Sequence, residues 1–189
     1  SPAEAGRRRL RNACLGYLTA LGRDDTTARC VDQLHAADNM TDEIAALRCL
    51  ARLPGAACDE ALAHFHDRWR GNPLVPDKWF STQAGALRDD TLERADALLG
   101  HPDFDPRNPN RFRALVRTLS RNQPAFHRAD GEGYRWVTDR VLELDPLNPQ
   151  VAARTAEAFA PWRHFDDARQ VRMRAQLERI AGSDGISKN

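Results

Sequence analysis

The sequence predicts an all-α fold: a curved superhelix of about ten antiparallel helices, stacked as hairpin repeats of the HEAT or ARM kind, with residues 1–189 forming a single domain. Three observations carry this. Apolar residues recur at helical spacing along the whole chain, and no stretch sustains a period-two alternation. Breakers cut the 189 residues into segments whose starts lie about 17 residues apart, so helix pairs recur about every 35, the period of a helical-hairpin solenoid. An Asn-Pro pair also returns three times, at Asn72-Pro73, Asn108-Pro109 and Asn148-Pro149. Asn at an N-cap accepts a hydrogen bond from an orphan helix amide, and Pro at the first helical position needs no amide partner, so each pair reads as a helix start. The repeat is one of spacing; no residue signature runs through all five pairs.

The elements follow in order. The first helix is predicted over 5–22, where Leu10, Ala13, Cys14, Tyr17, Leu18 and Leu21 share a face. Helices over 26–37 and 41–53 come next, and Asp42 and Glu43 place negative charge where the helix dipole favours it. Asn39-Met40-Thr41 has the form of a glycosylation acceptor but reads as a helix start. Cys58, Ala61, Leu62, Phe65 and Trp69 define a helix over 57–70, followed by segments over 74–86 and 90–99. Phe112, Leu115, Val116 and Leu119 predict a helix over 109–121; Tyr134, Val137, Val141 and Leu144 predict one over 131–145. The last two are expected over 149–160 and 166–181, the latter with Met173, Leu177 and Ile180 facing the core. Gly100, Gly131 and Gly133 read as turns or helix ends.

Several function classes are excluded. The net charge is +1, and the one basic cluster, Arg7, Arg8, Arg9 and Arg11, reads as the solvated start of a helix; no nucleic-acid partner is expected. Lysine occurs only at Lys78 and Lys188, an excess of Arg from which no function follows. No apolar run approaches the roughly 20 residues of a membrane span, and the opening "SPAEAGRRRL" has no apolar h-region, so a cytoplasmic location is expected. Cys14, Cys30, Cys49 and Cys58 form no C-x-x-C pair and read as buried thiols in a reducing compartment. None of the six histidines is followed by Glu, and His64 and His66 point to opposite sides of a helix, so no metal site is expected. Phosphate loops and nucleophile elbows are absent. The acidic pairs Asp24-Asp25, Asp89-Asp90 and Asp166-Asp167 fall at helix starts, where capping explains them. Trp69, Trp79, Phe80, Trp136 and Trp162 read as packing residues.

One polar face remains. In "NPQVAARTAEAF", Val151, Ala152, Thr155 and Phe159 make a buried stripe, and Gln150, Arg154 and Glu157 line the opposite side. Periodicity alone reads that side as solvated, with an Arg154–Glu157 pair worth a few tenths of a kcal/mol.

The segments "GRRRLRNACLGYL", "NMTDEIAALRCL", "GNPLVPDKWFSTQA", "NPNRFRALVRTLSRNQPAFHRADGEGY" and "LNPQVAARTAEAF" together resemble the C-terminal domain of bacterial aminopeptidase N, a gluzincin-type zinc metallo-aminopeptidase. The resemblance implies a fragment of a peptide hydrolase that removes N-terminal amino acids, with zinc and its H-E-x-x-H ligands in a catalytic domain outside this sequence. It implies no cofactor and no catalytic residue in the fragment itself, which is expected to be inactive alone. Its partners would be the catalytic and N-terminal domains of the same polypeptide, and peptide substrate. The helices would enclose the catalytic cavity and gate access to it. Gln150 and Arg154, and more remotely Arg113, would then line that cavity, with Arg154 able to meet a peptide carbonyl or carboxylate. An apolar patch is expected where the rest of such an enzyme would pack.

Two other readings stand beside this one. A free-standing helical-repeat adaptor would bind a protein or peptide; "VLELDPLNPQVAA" does look like a junction between two tetratricopeptide repeats, although their core signature is missing from the other helix pairs. A nucleic-acid-binding repeat protein would need a steep salt dependence that the near-zero net charge does not predict.

Overall fold

The computed structural model describes residues 1–23 and 25–187; Asp24, first of an acidic pair, and Lys188 lie outside the described residues. The described residues contain no strand, as the periodicity predicts, and eleven α-helices where about ten were expected. They fall into two compact units, Ser1–Thr82 and the remainder from Gln83 onward. Among the described residues no helix is long and apolar enough to cross a membrane.

The first unit holds α1 (Pro2–Ala20), α2 (Thr26–Ala36), α3 (Met40–Leu50), α4 (Ala56–Trp69) and most of α5 (Val75–Ala84). Ser1 caps α1 in a reciprocal box with Glu4, which the sequence reading placed three residues too late. Asn39 caps α3 by accepting from the Asp42 amide. The two acids behind that cap have tertiary partners as well as a dipole role. Asp42 is buried and accepts from Arg11, from Asn12 Nδ2 at 2.9 Å and from Asn39 Nδ2 at 2.9 Å. Burial pushes its carboxyl up, but these hydrogen bonds and the Arg11 charge outweigh it and hold the group below the usual carboxylate range. Glu43 is fully buried and takes the Trp69 indole N–H at 3.0 Å. Arg11 thus leaves the solvated basic cluster to pin α1 on α3.

Two expectations for this unit are corrected. The apolar face predicted for α1 does not enter the core: Leu10 is 67% exposed, Tyr17 75% and Leu21 73%, and Cys14 is exposed rather than buried. The helix instead packs on α2 and α3 through the opposite side, with Leu15 and Thr19 buried and Asn12 and Arg11 bonded to Asp42. Asn72-Pro73 does not cap a helix either. Its Asn72 Oδ1 accepts from Leu74 N and forms a turn, and α5 begins two residues later.

The second unit holds α6 (Thr91–Leu98), α7 (Pro109–Phe112), α8 (Gln123–Phe126), α9 (Glu132–Leu144), α10 (Pro149–Ala156) and α11 (Asp167–Ala181). Asn108 and Asn148 cap α7 and α10 with Pro at the first helical position, as predicted. The predicted 109–121 helix widens into a π turn over Arg113–Arg117, where the Thr118 amide reaches back five residues to the Arg113 carbonyl. Its apolar set, Phe112, Leu115, Val116 and Leu119, is nevertheless wholly buried. Helix α8 was not predicted; it is one turn long and capped by Asn122, whose side chain is buried and donates to the Ala84 and Ala86 carbonyls. Gly131 does take a left-handed conformation, with φ 80°, at the start of α9. Gly133, read as a turn or helix end, is the second residue of α9: the helix crosses the α8 backbone so closely that a Cβ there would stand 2.3 Å from the Ala125 carbonyl oxygen. Phe126 meets Tyr134 and Phe159 edge to face at 5.0 and 5.3 Å and locks α8, α9 and the 3-10 turn Glu157–Phe159 together.

Candidate functional site

Helix α10 keeps the division its sequence predicts. Val151, Ala152, Thr155 and Phe159 are buried; Gln150, Arg154 and Glu157 are exposed. Thr155 Oγ1 donates to the Val151 carbonyl at 2.8 Å, so its polar group is satisfied inside the core face and the opposite side stays free. The predicted Arg154–Glu157 ion pair does not form. Both side chains instead line a pocket of about 300 Å³.

The pocket lies beside the end of the π turn. Arg117, the last residue of that turn, and Arg121, one helical turn further, join Arg154 in its lining. Two hydroxyls secure the local backbone: Thr118 Oγ1 donates to the Arg113 carbonyl at 3.3 Å, and Ser120 Oγ to the Arg117 carbonyl at 3.0 Å. The inner wall is aromatic, made by Phe126, His127 and Phe165, with the His127 and Phe165 rings 4.2 Å apart. His127 Nδ1 and the Tyr134 hydroxyl lie 2.7 Å apart, and Arg169 Nε donates to the His127 carbonyl. Burial, aided by the Arg169 charge, lowers the His127 pKa, so the ring is held neutral. Burial likewise raises the Tyr134 hydroxyl.

The charge balance is three guanidiniums against the one carboxylate of Glu157. Among the described residues, none of Arg117, Arg121 and Arg154 holds a carboxylate. Other arginines of the same unit do: Arg128 holds Glu93, Arg169 holds Asp166 and Arg179 holds Asp139. Such a pocket can take an anion by forked hydrogen bonds; it has no nucleophile with an adjacent base.

Of the three residues expected to line a substrate cavity, Gln150, Arg154 and Arg113, only Arg154 reaches this pocket. Arg113 sits one turn before Arg117 and donates to Asn110 Oδ1 at 3.1 Å, and Gln150 is exposed at the first turn of α10. The sequence reading missed Arg117 and Arg121. Their signal was present: in "RALVRTLSR" the arginines at 113, 117 and 121 stand four apart, which is one helix face.

Comparison with known proteins adds the family. The description "Domain of unknown function (DUF3458_C) ARM repeats" matches residues 1–189. Aminopeptidase N of Caulobacter vibrioides is 46% identical over 188 residues, covering 99% of this chain and 22% of its own length. Aminopeptidase N of Escherichia coli strain K12 is 38% identical over 186 residues, covering 97% of this chain and 21% of itself. In the crystal structure of Legionella pneumophila aminopeptidase A in complex with aspartic acid, 93% of this chain superimposes on 21% of that one, with TM-score 0.87 and 36% identity. The chain therefore spans about a fifth of the length of these relatives, and it matches their C-terminal helical part. By the match along its whole length, the chain belongs to the DUF3458_C ARM-repeat family, the helical part shared by these aminopeptidases.

Proposed function

We propose that the chain is the C-terminal helical domain of a cytoplasmic zinc aminopeptidase that removes N-terminal residues from peptides. It would enclose the catalytic cavity and gate entry, with no catalytic centre of its own. The observation that carries this is the match of nearly every residue to one end of aminopeptidase N, at 46% identity in the Caulobacter vibrioides relative. The family match spans both compact units, which supports reading them as one domain of the parent. Four free cysteines support a reducing setting.

The H-E-x-x-H motif of the family's zinc centre is missing from these residues. Zinc chemistry is assigned to the part of the parent outside this chain. Toward the substrate this chain would contribute Arg154, Gln150 and Arg113 as polar groups of the cavity wall.

The test is to assay the 189-residue chain, the remainder of the parent enzyme, and the two mixed, on an aminoacyl anilide and on short peptides. The chain alone is expected to release nothing and the mixture to regain peptide turnover. In the intact enzyme Arg154→Ala should raise KM for peptides and leave the anilide nearly unaffected. Turnover by the remainder equal to that of the intact enzyme, on every substrate, would remove the gating role. Specific capture of a foreign peptide by a chain that restores nothing would favour the adaptor reading.

A further inference from the structure

We propose that Arg117 and Arg121, together with Arg154, form a carboxylate-binding site that holds an acidic end of a peptide. The reading deepens the peptide-handling role above and rests on it for the source of the ligand, but the site itself is argued from the pocket.

Three observations converge. First, three guanidiniums share the lining of one pocket, and none of them holds a carboxylate among the described residues. Gathering like charges without a counterion is unfavourable, whereas neighbouring arginines of this unit, such as Arg128 and Arg179, have each found an acid. Second, the arrangement is built on a supported backbone. The π turn sets Arg117, the hydroxyls of Thr118 and Ser120 secure the carbonyls of Arg113 and Arg117, and Thr155, buried beside Arg154, bonds the Val151 carbonyl within α10. Widened helical turns of this kind occur disproportionately at functional sites. Third, the wall behind the arginines is apolar and aromatic, with Phe126 and Phe165, and the volume of about 300 Å³ is at the small end of ligand pockets. It fits one amino-acid residue whose carboxylate meets the arginines and whose side chain meets the rings.

The class of ligand follows from the charge. A planar guanidinium matches a carboxylate through two parallel N–H···O bonds. Glu157 in the same lining disfavours a polyanion, so a nucleic-acid backbone is a poor occupant. His127 lends no charge, because burial keeps it neutral. What remains is a single carboxylate, either a peptide C-terminus or an Asp or Glu side chain.

The experiment uses the isotope-labelled 189-residue chain and follows its arginine Nε–H resonances by NMR. Three probes are titrated: N-acetyl-Ala-Leu with a free carboxylate, the same peptide as its amide, and N-acetyl-Ala-Asp amide. The free acid should shift the Arg117, Arg121 and Arg154 resonances and bind at least tenfold more tightly than its amide. The Asp amide then decides the source: binding equal to the free acid means any carboxylate is accepted, and weaker binding means a C-terminus is preferred. Arg117→Gln and Arg121→Gln should each weaken the free acid several-fold, leave the amide unchanged and keep the wild-type melting temperature. Arg121→Lys, which keeps charge but loses the fork, should fall between. Equal response to acid and amide, no response to either, or glutamine variants that bind like wild type would overturn the proposal. Because the readout is binding to this chain without hydrolysis, its failure leaves the enzyme assays above intact, and their failure leaves it readable.

Discussion

Replacing Gly133 with alanine inverts an ordinary rule of helix stability. In the interior of a helix the exchange usually stabilises by about 0.5–1 kcal/mol, because alanine loses less backbone entropy. At Gly133 the added Cβ would lie 2.3 Å from the Ala125 carbonyl oxygen, 2.6 Å from that of Phe126 and 2.8 Å from Phe126 Cα. Carbon and oxygen settle at about 3.3–3.6 Å, so backbone must retreat by roughly 1 Å. Helix α8 cannot retreat freely. It is four residues long, and its cap Asn122 is tied to the Ala84 and Ala86 carbonyls. Overpacking of this kind costs about 1–3 kcal/mol, occasionally more, and here the movable atoms are all main chain. Set against the propensity gain, a net loss of about 2 kcal/mol is expected, or a melting temperature lower by about 4–8 °C for a chain of this size. Thermal unfolding followed by circular dichroism reads it. The control is Gly16→Ala in α1, where nothing lies within 4 Å of the new methyl and a gain of about 0.5–1 kcal/mol is expected. If Gly133→Ala melts at or above the wild type, the close α8–α9 crossing is wrong and so is the aromatic wall it positions.

Three further outcomes are expected. Asn122→Ala removes a helix cap and orphans the buried Ala84 carbonyl, while the Ala86 carbonyl keeps the Thr91 hydroxyl; urea unfolding should show a loss of about 2–3 kcal/mol. His127 has its pKa lowered by burial and by Arg169, so below the ordinary histidine value of about 6.5 the unfolded chain binds a proton that the folded one refuses. Its contribution to stability is complete above that pH and is lost as pH falls from there toward the folded value. Urea midpoints at pH 7.5 and 5.5 should differ more for the wild type than for His127→Gln. Under native conditions one thiol, Cys14, should react rapidly with a disulfide reagent, and Cys30, Cys49 and Cys58 only on unfolding; a Cys14→Ser variant should abolish the fast phase.

The fold was legible wherever one element decided its own fate. The stripes of α9 and α10 and of the 109–119 segment are buried residue for residue, because a 3.6-residue period and a buried side are two views of one fact. Legibility ended where distant backbone decides. Nothing local in "RALVR" announces a π turn, since its apolar set is helical on either count. Gly133 could be read only as a turn or helix end, because its reason for being glycine is the α8 carbonyls, which only the folded chain brings near it. The α1 face shows a different limit. Periodicity identified an amphipathic face at Leu10, Tyr17 and Leu21, but it cannot say whether the partner lies in the same stretch of sequence. Here that face is exposed and the helix is held by its polar flank, through Arg11 and Asn12 on Asp42.

The candidate site follows the same logic one level up. The period of α10 places Arg154 on its free side, and the resemblance, not the period, singled it out. Arg117 and Arg121 were visible in spacing yet unweighted, since a run of arginines on a helix is by itself a solvated face. What changes their meaning is the company they keep: an unpaired guanidinium from α10, an aromatic wall from α8 and the segment before α11, and one acid where three would be needed for balance. Charge that a fold gathers and leaves uncompensated, on backbone held by hydroxyl bonds, is a statement about something not in the chain. The sequence carries each residue of that statement, and only the packing of four separate segments puts them together.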